Sequence, residues 1–186
     1  MRIISGKLKG KKIDIPKDNF TRPLRDLVKE SIFNVIDYSN KFNTKVKNGQ
    51  ILDLFSGTGS FGLEAASREA KNIIFVENHI PAIQILKKNI QKLNCENKSN
   101  IIENNCFSYL DTLDHDAVKF DIIFLDPPYK EKKINDLLDE ILRKKILKED
   151  GIMIIHRHKK DTIELTHNLN IVDVRCYGIS KIIFGK

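Results

Sequence analysis

The sequence predicts an α/β fold with a doubly wound, mostly parallel sheet of seven strands and an antiparallel last strand. From residue 50 onward, short apolar strand patterns alternate with amphipathic helical patterns. Right-handed crossovers between such strands place helices on both faces of the sheet. The last two strand patterns are joined only by Tyr177-Gly178, which implies an antiparallel hairpin. The length of 186 residues and the 41% hydrophobic content favour one compact domain.

Each predicted element follows from this local periodicity. The strands are predicted at 51–55, 72–77, 100–103, 120–125, 151–155, 170–176 and 179–184. Helices are predicted at 60–70, 80–93 and 132–145, with short ones after residue 103 and near 160–166. Ligands of such sheets bind beyond the carboxyl ends of the strands, where the strand order reverses.

The segment before residue 50 is predicted to form a short hairpin-like arm and one helix. Strand candidates at 3–4 and 13–15 are separated by glycines, and Thr21-Arg22-Pro23 opens the helix. One apolar stripe of this helix is predicted to contain Leu24, Leu27, Val28, Ile32, Val35 and Ile36. Another face is predicted to carry Arg22, Arg25 and Lys29.

The excess positive charge lies entirely in this first quarter of the chain. Residues 1–48 contain 12 Lys and Arg against 5 Asp and Glu, whereas the remainder contains 20 of each. A segregated basic segment is typical of a protein that binds a polyanion, although charge that only promotes solubility is the alternative. The candidate nucleic-acid contacts are Lys7, Lys9, Lys11, Arg22, Arg25 and Lys29.

Composition argues against several classes of protein. The apolar runs are too short to span a membrane, and the N-terminus has no apolar stretch typical of a signal peptide, so a cytoplasmic protein is expected. The three cysteines, Cys95, Cys106 and Cys176, are odd in number and form no Cys-x-x-Cys pair. Neither a disulfide framework nor a metal site is therefore expected.

A glycine-rich turn follows the first predicted strand. Gly57, Gly59 and Gly62 satisfy the pattern G-x-G-x-x-G and open a helix, which allows a ligand to approach the backbone closely. Glu77 ends the next strand, where a carboxylate can accept hydrogen bonds from both ribose hydroxyls of an adenosine-containing cofactor. Together these features predict a nucleoside site.

Two cofactors fit this site, a dinucleotide and S-adenosylmethionine. Asp53, directly before the turn, would repel a pyrophosphate but would attract the ammonium and sulfonium of S-adenosylmethionine, so it favours the methyl donor. After the third strand, an amide at 104–105 could bind the adenine edge and Cys106 could pack on the ring. The predicted cofactor-binding residues are Asp53, Phe55, Gly57, Gly59, Glu77, Asn105 and Cys106.

The segment Asp126-Pro127-Pro128-Tyr129 ends a continuous apolar strand. Two prolines make the turn rigid, so the Asp126 carboxylate and the Pro127 carbonyl can face one point beyond the sheet. Such acceptors can hold the two hydrogens of an exocyclic amine and direct its lone pair toward a methyl group. Tyr129 can stack on the target base. Asp126, Pro127 and Tyr129 are the predicted catalytic residues.

These residues resemble the class I methyltransferases, with their Rossmann-like fold. Over nearly the whole chain, the sequence is similar to the bacterial 16S ribosomal RNA guanine-N2 methyltransferase family. The resemblance rests on Thr21-Arg22-Pro23, on the segment 62–70, on the Asp-Pro-Pro-Tyr motif and on Tyr177-Gly178. His156 is a departure, because the family usually has glutamate at the end of the fifth strand.

The resemblance implies methyl transfer from S-adenosylmethionine to the N2 amine of a guanine in 16S rRNA, with the small ribosomal subunit or an assembly intermediate as partner. It implies that Asp126 orients the amine and that Glu77 binds the ribose. Residues 1–48 are then expected to be an RNA-binding extension of the same compact unit, and residues 49–186 the methyltransferase domain. A monomer without a membrane partner is expected.

Three alternatives remain open from the sequence. Another amine methyltransferase, acting on DNA adenine or on a protein glutamine, would share the Asp-Pro-Pro-Tyr motif. An NAD-dependent oxidoreductase would share the glycine turn, although Asp53 and the lack of an obvious catalytic His or Tyr-x-x-x-Lys argue against it. A catalytically inactive RNA-binding module is the third alternative.

Overall fold

The structure is a computed structural model, and it describes residues 1–16, 24–114 and 118–186. The predicted helix opening at Thr21-Arg22-Pro23 and the predicted RNA contact of Arg22 lie outside these residues. Everything said of the structure below concerns the described ranges.

Along the described residues, five α-helices and seven strands alternate up to the fifth strand, which is followed by two more strands with no helix between them. The strands are β1 (Gln50–Leu54), β2 (Asn72–Glu77), β3 (Ser99–Glu103), β4 (Phe120–Leu125), β5 (Leu147–His158), β6 (Ile171–Tyr177) and β7 (Ser180–Gly185). The helices are α1 (Asp26–Tyr38), α2 (Ser60–Ser67), α3 (Ile80–Lys92), α4 (Cys106–Thr112) and α5 (Ile134–Arg143), and a 3₁₀ turn covers Glu96–Lys98.

The strands form one sheet in the order β3-β2-β1-β4-β5-β7-β6. The neighbours from β3 to β5 are parallel, whereas β7 runs antiparallel to both β5 and β6. This confirms the predicted fold class, including the antiparallel hairpin. The strand order reverses at β1, whose neighbours are β2 and β4, so a crevice is expected beyond the carboxyl ends of β1 and β4.

Three elements differ from the prediction, and the first is β5, which begins at Leu147 rather than at residue 151. Helix α2 ends at Ser67 rather than near residue 70, because Glu69 adopts a left-handed φ of 67° and Ala70 donates its amide hydrogen back to Ala65. The short helix predicted near 160–166 is wrong, since no helix covers those residues, all of which the structure describes. Instead Asn135 of α5 accepts a hydrogen bond from the Thr166 amide and donates one to the Glu164 carbonyl.

The N-terminal arm and α1 share a hydrophobic core with one face of the sheet. The arm closes through a single antiparallel bridge between Arg2 and Lys12. The aromatic rings of Phe33 in α1, Phe61 in α2 and Phe124 in β4 stack in series, at centroid distances of 4.9 and 4.1 Å. Helix α1 therefore packs over α2, which in turn covers the carboxyl-terminal half of β4.

The orientation of α1 corrects two predictions. Lys29 is completely buried, and its Nζ donates to the Arg2 carbonyl at 2.7 Å and lies 3.6 Å from Glu64 Oε2. Burial lowers the pKa of the Lys29 ammonium. Leu27, predicted to be in the apolar stripe, is 65% exposed. The prediction that Lys29 contacts RNA does not agree with its position, because the buried Glu64 carboxylate draws this side chain inward.

Candidate active site

A cleft of about 580 Å³ lies at the carboxyl ends of β1, β2 and β4, where the strand order predicts it. Most of the residues predicted from the two sequence motifs line this one cleft. They are Asp53, Phe55, Gly57, Glu77, Asn105, Asp126, Pro127 and Tyr129. The glycine turn and the Asp-Pro-Pro-Tyr turn, about 70 residues apart in sequence, therefore face the same space.

The three glycines of the turn have different roles. Gly57 lines the cleft with a φ of 54°. Gly59 has a φ of 84°, and a Cβ atom there would lie 2.5 Å from Leu86 of α3. A Cβ atom on Gly62 would lie 2.2 Å from the ring of Phe75 in β2. Gly59 and Gly62 therefore permit the close packing of helices and strand, while Gly57 leaves backbone open to a ligand.

Asp53 holds this turn from beneath. Its Oδ2 atom accepts a hydrogen bond from the Gly62 amide at 2.9 Å, and the side chain is almost completely buried at the base of the cleft. Burial raises the pKa of Asp53 well above its ordinary value, and the nearby carboxylates of Asp126 and Glu77 raise it further. A cation bound beside Asp53 would favour the ionised form and reverse this effect.

Glu77 is oriented by three backbone amides. Its Oε2 accepts from Gly57 at 2.7 Å, and its Oε1 accepts from Asn78 and His79 at 2.9 Å each. These bonds fix the carboxylate at the end of β2 and join it to the glycine turn. Since each carboxylate oxygen has two lone pairs, Oε1 is saturated by its two amides, whereas Oε2 retains one lone pair for a ligand in the cleft.

Asn105 and Cys106 begin α4 but are placed differently relative to the cleft. Asn105 is exposed and lines the cleft, and its side-chain oxygen caps α4 by accepting from the Phe107 amide at 2.8 Å. The amide nitrogen of this side chain is thus the group directed away from the cap. Cys106 is buried in the core behind the cleft wall, where desolvation raises the pKa of its thiol to about 12.

The Asp-Pro-Pro-Tyr turn leaves the sheet directly after its acidic residue. The Asp126 amide still donates to the Leu54 carbonyl of β1 at 3.3 Å, and the two prolines that follow have no amide hydrogen to continue the ladder. The Tyr129 ring meets the ring of His158 edge-on at a centroid distance of 4.9 Å. Arg157 of β5 also contacts the segment that follows this turn, because it donates to the Glu131 carbonyl at 3.2 Å while it pairs with Asp161.

His156 is a site residue that the sequence reasoning missed. Its Nδ1 atom lies 2.8 Å from Asp126 Oδ1, and its Nε2 atom lies 2.9 Å from the Oγ of Ser180. His156 stands near the end of the fifth strand, where the related family usually has glutamate, and no contact with Asp126 is predicted from the sequence. No local signal in the sequence gives this contact, because it depends on the pairing of β4 with β5 and of β5 with β7.

The predicted RNA-contacting residues that the structure describes lie mostly on the surface. Lys9, Lys11 and Arg25 are exposed. Lys7 is also exposed, although its ammonium lies 3.0 Å from Glu69. With Lys29 buried, the exposed basic residues of the arm and of the start of α1 are those that remain candidates for RNA binding.

No three His, Cys, Asp or Glu side chains in residues 1–16, 24–114 and 118–186 cluster as ligands of one metal ion. None of the helices within those ranges is both long enough and apolar enough to cross a bilayer.

Solved structures with the same fold include methyltransferases. A candidate methyltransferase of Escherichia coli, yhhF, superimposes with a TM-score of 0.84, covers 100% of this chain and 96% of its own, and is 22% identical. SMU.776, a candidate methyltransferase solved with S-adenosylhomocysteine (SAH), has a TM-score of 0.65 and is 17% identical, over 85% of this chain and 49% of its own. At sequence identities this low, the structural similarity establishes the fold alone.

The sequence comparisons are more specific. YlbH of Bacillus subtilis, named as a candidate rRNA methyltransferase, is 35% identical over 187 residues that cover 100% of this chain and 98% of YlbH. Ribosomal RNA small subunit methyltransferase D of Buchnera aphidicola subsp. Acyrthosiphon pisum is 32% identical over 94% of this chain and 90% of its own length. A family model described as conserved hypothetical protein 95 matches residues 1–186. The chain therefore belongs to this family, which contains methyltransferases.

Proposed function

We propose that this protein transfers a methyl group from S-adenosylmethionine to the exocyclic N2 amine of a guanine in 16S rRNA of the small ribosomal subunit. The observation that carries the proposal is the single cleft lined by both Asp53 and Glu77 on one side and Asp126, Pro127 and Tyr129 on the other. The carboxyl groups of Asp53 and Glu77 can bind a cationic nucleoside. The Asp-Pro-Pro-Tyr turn can bind the amine of a planar base.

The residues of the cofactor side fit S-adenosylmethionine better than a dinucleotide. Asp53 is a buried carboxyl group directly beneath the glycine turn, where a pyrophosphate would meet like charge and an ammonium would meet opposite charge. Glu77 is held by three amides in an orientation that leaves one lone pair of Oε2 for a ribose hydroxyl. S-adenosylmethionine supplies an electrophilic methyl group on a sulfonium, whose C–S bond breaks as the new C–N bond forms.

The residues of the Asp-Pro-Pro-Tyr turn act on the amine. Asp126 accepts one amine hydrogen and offsets the positive charge that develops on nitrogen, and the Pro127 carbonyl accepts the other hydrogen. Both bonds withdraw the lone pair from the ring and direct it toward the methyl carbon. Tyr129 stacks on the base, a contact worth about 1–3 kcal/mol. After transfer, the nitrogen loses one proton to restore a neutral amine.

The choice of rRNA as substrate is supported by the names of the relatives and by charge. Methyltransferase D of Buchnera is named for the small-subunit rRNA, and the exposed Lys7, Lys9, Lys11 and Arg25 lie in the basic quarter of this chain. The target guanine must be unpaired or flipped out, because the N2 amine of a stacked base pair cannot reach the cleft in line with the methyl group. Contacts between these basic side chains and the phosphates of the RNA make RNA binding salt-dependent.

The substrate is tested by methyl transfer in vitro. Purified protein and radiolabelled S-adenosylmethionine are incubated with three substrates from cells lacking this protein: small subunits, naked 16S rRNA and genomic DNA. We expect N2-methylguanosine in 16S rRNA, identified by nucleoside mass spectrometry, and no label in DNA. Label found only as N6-methyladenine in DNA, or absent from all three substrates, would contradict the proposed function.

The raised pKa of Asp53 predicts a pH dependence of cofactor binding. Because the ammonium of the cofactor favours the ionised carboxylate, binding to the protonated form must release a proton. Affinity for S-adenosylmethionine should therefore rise with pH toward the pKa of Asp53, by up to about tenfold per pH unit below it. Calorimetry between about pH 5 and 7 measures this, since the cofactor's α-amino group stays protonated there.

The variant Asp53→Asn isolates this contribution from the other titratable groups that line the cleft, which include Glu77, His79 and Asp126. We expect weaker binding and a flatter pH dependence in Asp53→Asn than in the wild type. A wild-type profile that Asp53→Asn leaves unchanged in slope would show that Asp53 does not meet the cofactor's positive charge.

A further inference from the structure

Asp126 is attached to a line of hydrogen bonds that crosses three neighbouring strands. His156, near the end of β5, places its Nδ1 atom 2.8 Å from Asp126 Oδ1. The Nε2 atom of the same ring lies 2.9 Å from the Oγ of Ser180, the first residue of β7. The register explains the contact, because Leu125 of β4 pairs with Ile155 of β5, so the residues that follow them lie side by side.

The hydrogen bonds of His156 are buried away from solvent. His156 and Ser180 are each 4% exposed, and only the Asp126 end opens onto the cleft. A buried imidazole with both nitrogens hydrogen-bonded cannot rotate without losing two bonds. The His156 ring is therefore fixed in orientation, and it restrains the Asp126 carboxylate through the contact at 2.8 Å.

The carboxylate of Asp126 excludes one of the two neutral tautomers of the ring. An ionised carboxylate only accepts hydrogen bonds, so the Nδ1 atom must carry the proton that it shares with Asp126. The Nε2 atom of the neutral ring then accepts from the Ser180 hydroxyl. The opposite tautomer would place the Nδ1 lone pair against the lone pairs of Oδ1, at hydrogen-bond distance.

We propose that His156 is a positioning residue for methyl transfer, which holds Asp126 Oδ1 through its Nδ1–H so that Oδ2 is left to accept a hydrogen of the target amine. This inference rests on the proposed function, because it assigns a role in the same reaction. It also gives a physical reason for the orientation of Asp126: one oxygen is satisfied by the protein, and the second is reserved for substrate.

Losing this support should affect the chemical step rather than cofactor binding. A carboxylate free to rotate about χ1 and χ2 spends less time in the geometry that aligns the amine, and a displacement of about 1 Å can lower a rate about 100-fold. The hydrogen bonds that orient Asp53 and Glu77 do not involve His156. A fall in kcat without a change in cofactor affinity is thus the expected signature.

Two amide variants separate positioning from packing. In His156→Asn the side-chain amide nitrogen can occupy the place of Nδ1 and donate to Asp126, whereas in His156→Gln the amide nitrogen lies nearer the place of Nε2. The exposed His167, changed to Asn and to Gln, provides the matched controls. For every variant, kcat and KM with 16S rRNA, the dissociation constant of S-adenosylhomocysteine and the melting temperature are measured.

We expect His156→Gln to lower kcat about 10- to 100-fold, and His156→Asn to restore most of that loss. Cofactor affinity and the His167 variants should match the wild type. Wild-type kcat in His156→Gln overturns the inference. Equal losses in His156→Asn and His156→Gln also overturn it, because they indicate a packing role.

A measurement without substrate keeps this test separate from that of the proposed function. In protein labelled with ¹⁵N-histidine, long-range ¹H–¹⁵N correlation spectra distinguish the two neutral tautomers. We expect His156 to be protonated at Nδ1, and this signal to change in Asp126→Ala. A ring protonated only at Nε2 overturns the inference, even if the wild type methylates rRNA. If the wild type instead transfers no methyl group, the proposed function fails, and the tautomer still decides whether His156 donates a hydrogen bond to Asp126.

Discussion

Asp126→Ala should lower kcat for methyl transfer about 100- to 1,000-fold while S-adenosylhomocysteine still binds. The substitution removes the carboxylate that accepts an amine hydrogen and offsets positive charge on the nitrogen. The Pro127 carbonyl then remains as a single acceptor on an amine whose lone pair is delocalised into the base. Single-turnover rates with 16S rRNA measure the chemical step, and calorimetry measures cofactor binding.

An isosteric variant and a control refine this prediction. Asp126→Asn keeps the size of the side chain but removes its negative charge, so we expect a loss of activity intermediate between the wild type and Asp126→Ala. Asp114→Ala removes an exposed carboxylate elsewhere on the surface and should leave kcat unchanged. Wild-type turnover in Asp126→Ala would rule out the amine-orienting role of this turn.

Glu64→Gln should destabilise the protein by about 3–5 kcal/mol, because it leaves the buried Lys29 ammonium without its counter-charge. Glu64 is completely buried, and its two oxygens also accept the amides of Ile4 and Ser5 at 2.7 and 2.9 Å. The Nε atom of Arg68 lies 3.1 Å from Oε1. In a chain of this size, the expected fall in melting temperature is about 6–20 °C.

A double-mutant cycle identifies the unpaired charge as the cause. The double variant Lys29→Met/Glu64→Gln lacks both charges, so its free energy of unfolding should be higher than that of Glu64→Gln alone. The control is Glu69→Gln, which affects the surface contacts with Lys7 and Lys47 and should change stability little. If urea unfolding finds that Glu64→Gln costs no more than Glu69→Gln, the buried pair does not hold the arm on α2.

The elements of the fold could be predicted because their signals are local. Apolar alternation locates strands such as Phe120–Leu125, and helical periodicity locates Ile80–Lys92, within a few residues of the observed bounds. The segment 160–166 was predicted as a helix in error, because its backbone groups bond instead to the side chain of Asn135, a partner about 30 residues away.

Helix α1 shows the limit of periodicity as a guide to burial. The spacing of its apolar residues located the helix but not the rotation that buries Lys29 and exposes Leu27. That rotation depends on the Glu64 carboxylate and the Arg2 carbonyl, which come from two other parts of the chain. Since a lysine is ordinarily expected at the surface, only the packed structure shows that this one lies in the core.

The sequence by itself determined that Asp53, Glu77 and Asp126 share one edge of the sheet, because each lies within one residue of the carboxyl end of a parallel strand and these ends meet. The tertiary structure alone decided that His156 and Ser180 stand behind Asp126. The two hydrogen bonds join residues 30 and 24 positions apart in sequence. They form only because the sheet places β4, β5 and β7 next to one another, an order that local periodicity does not contain.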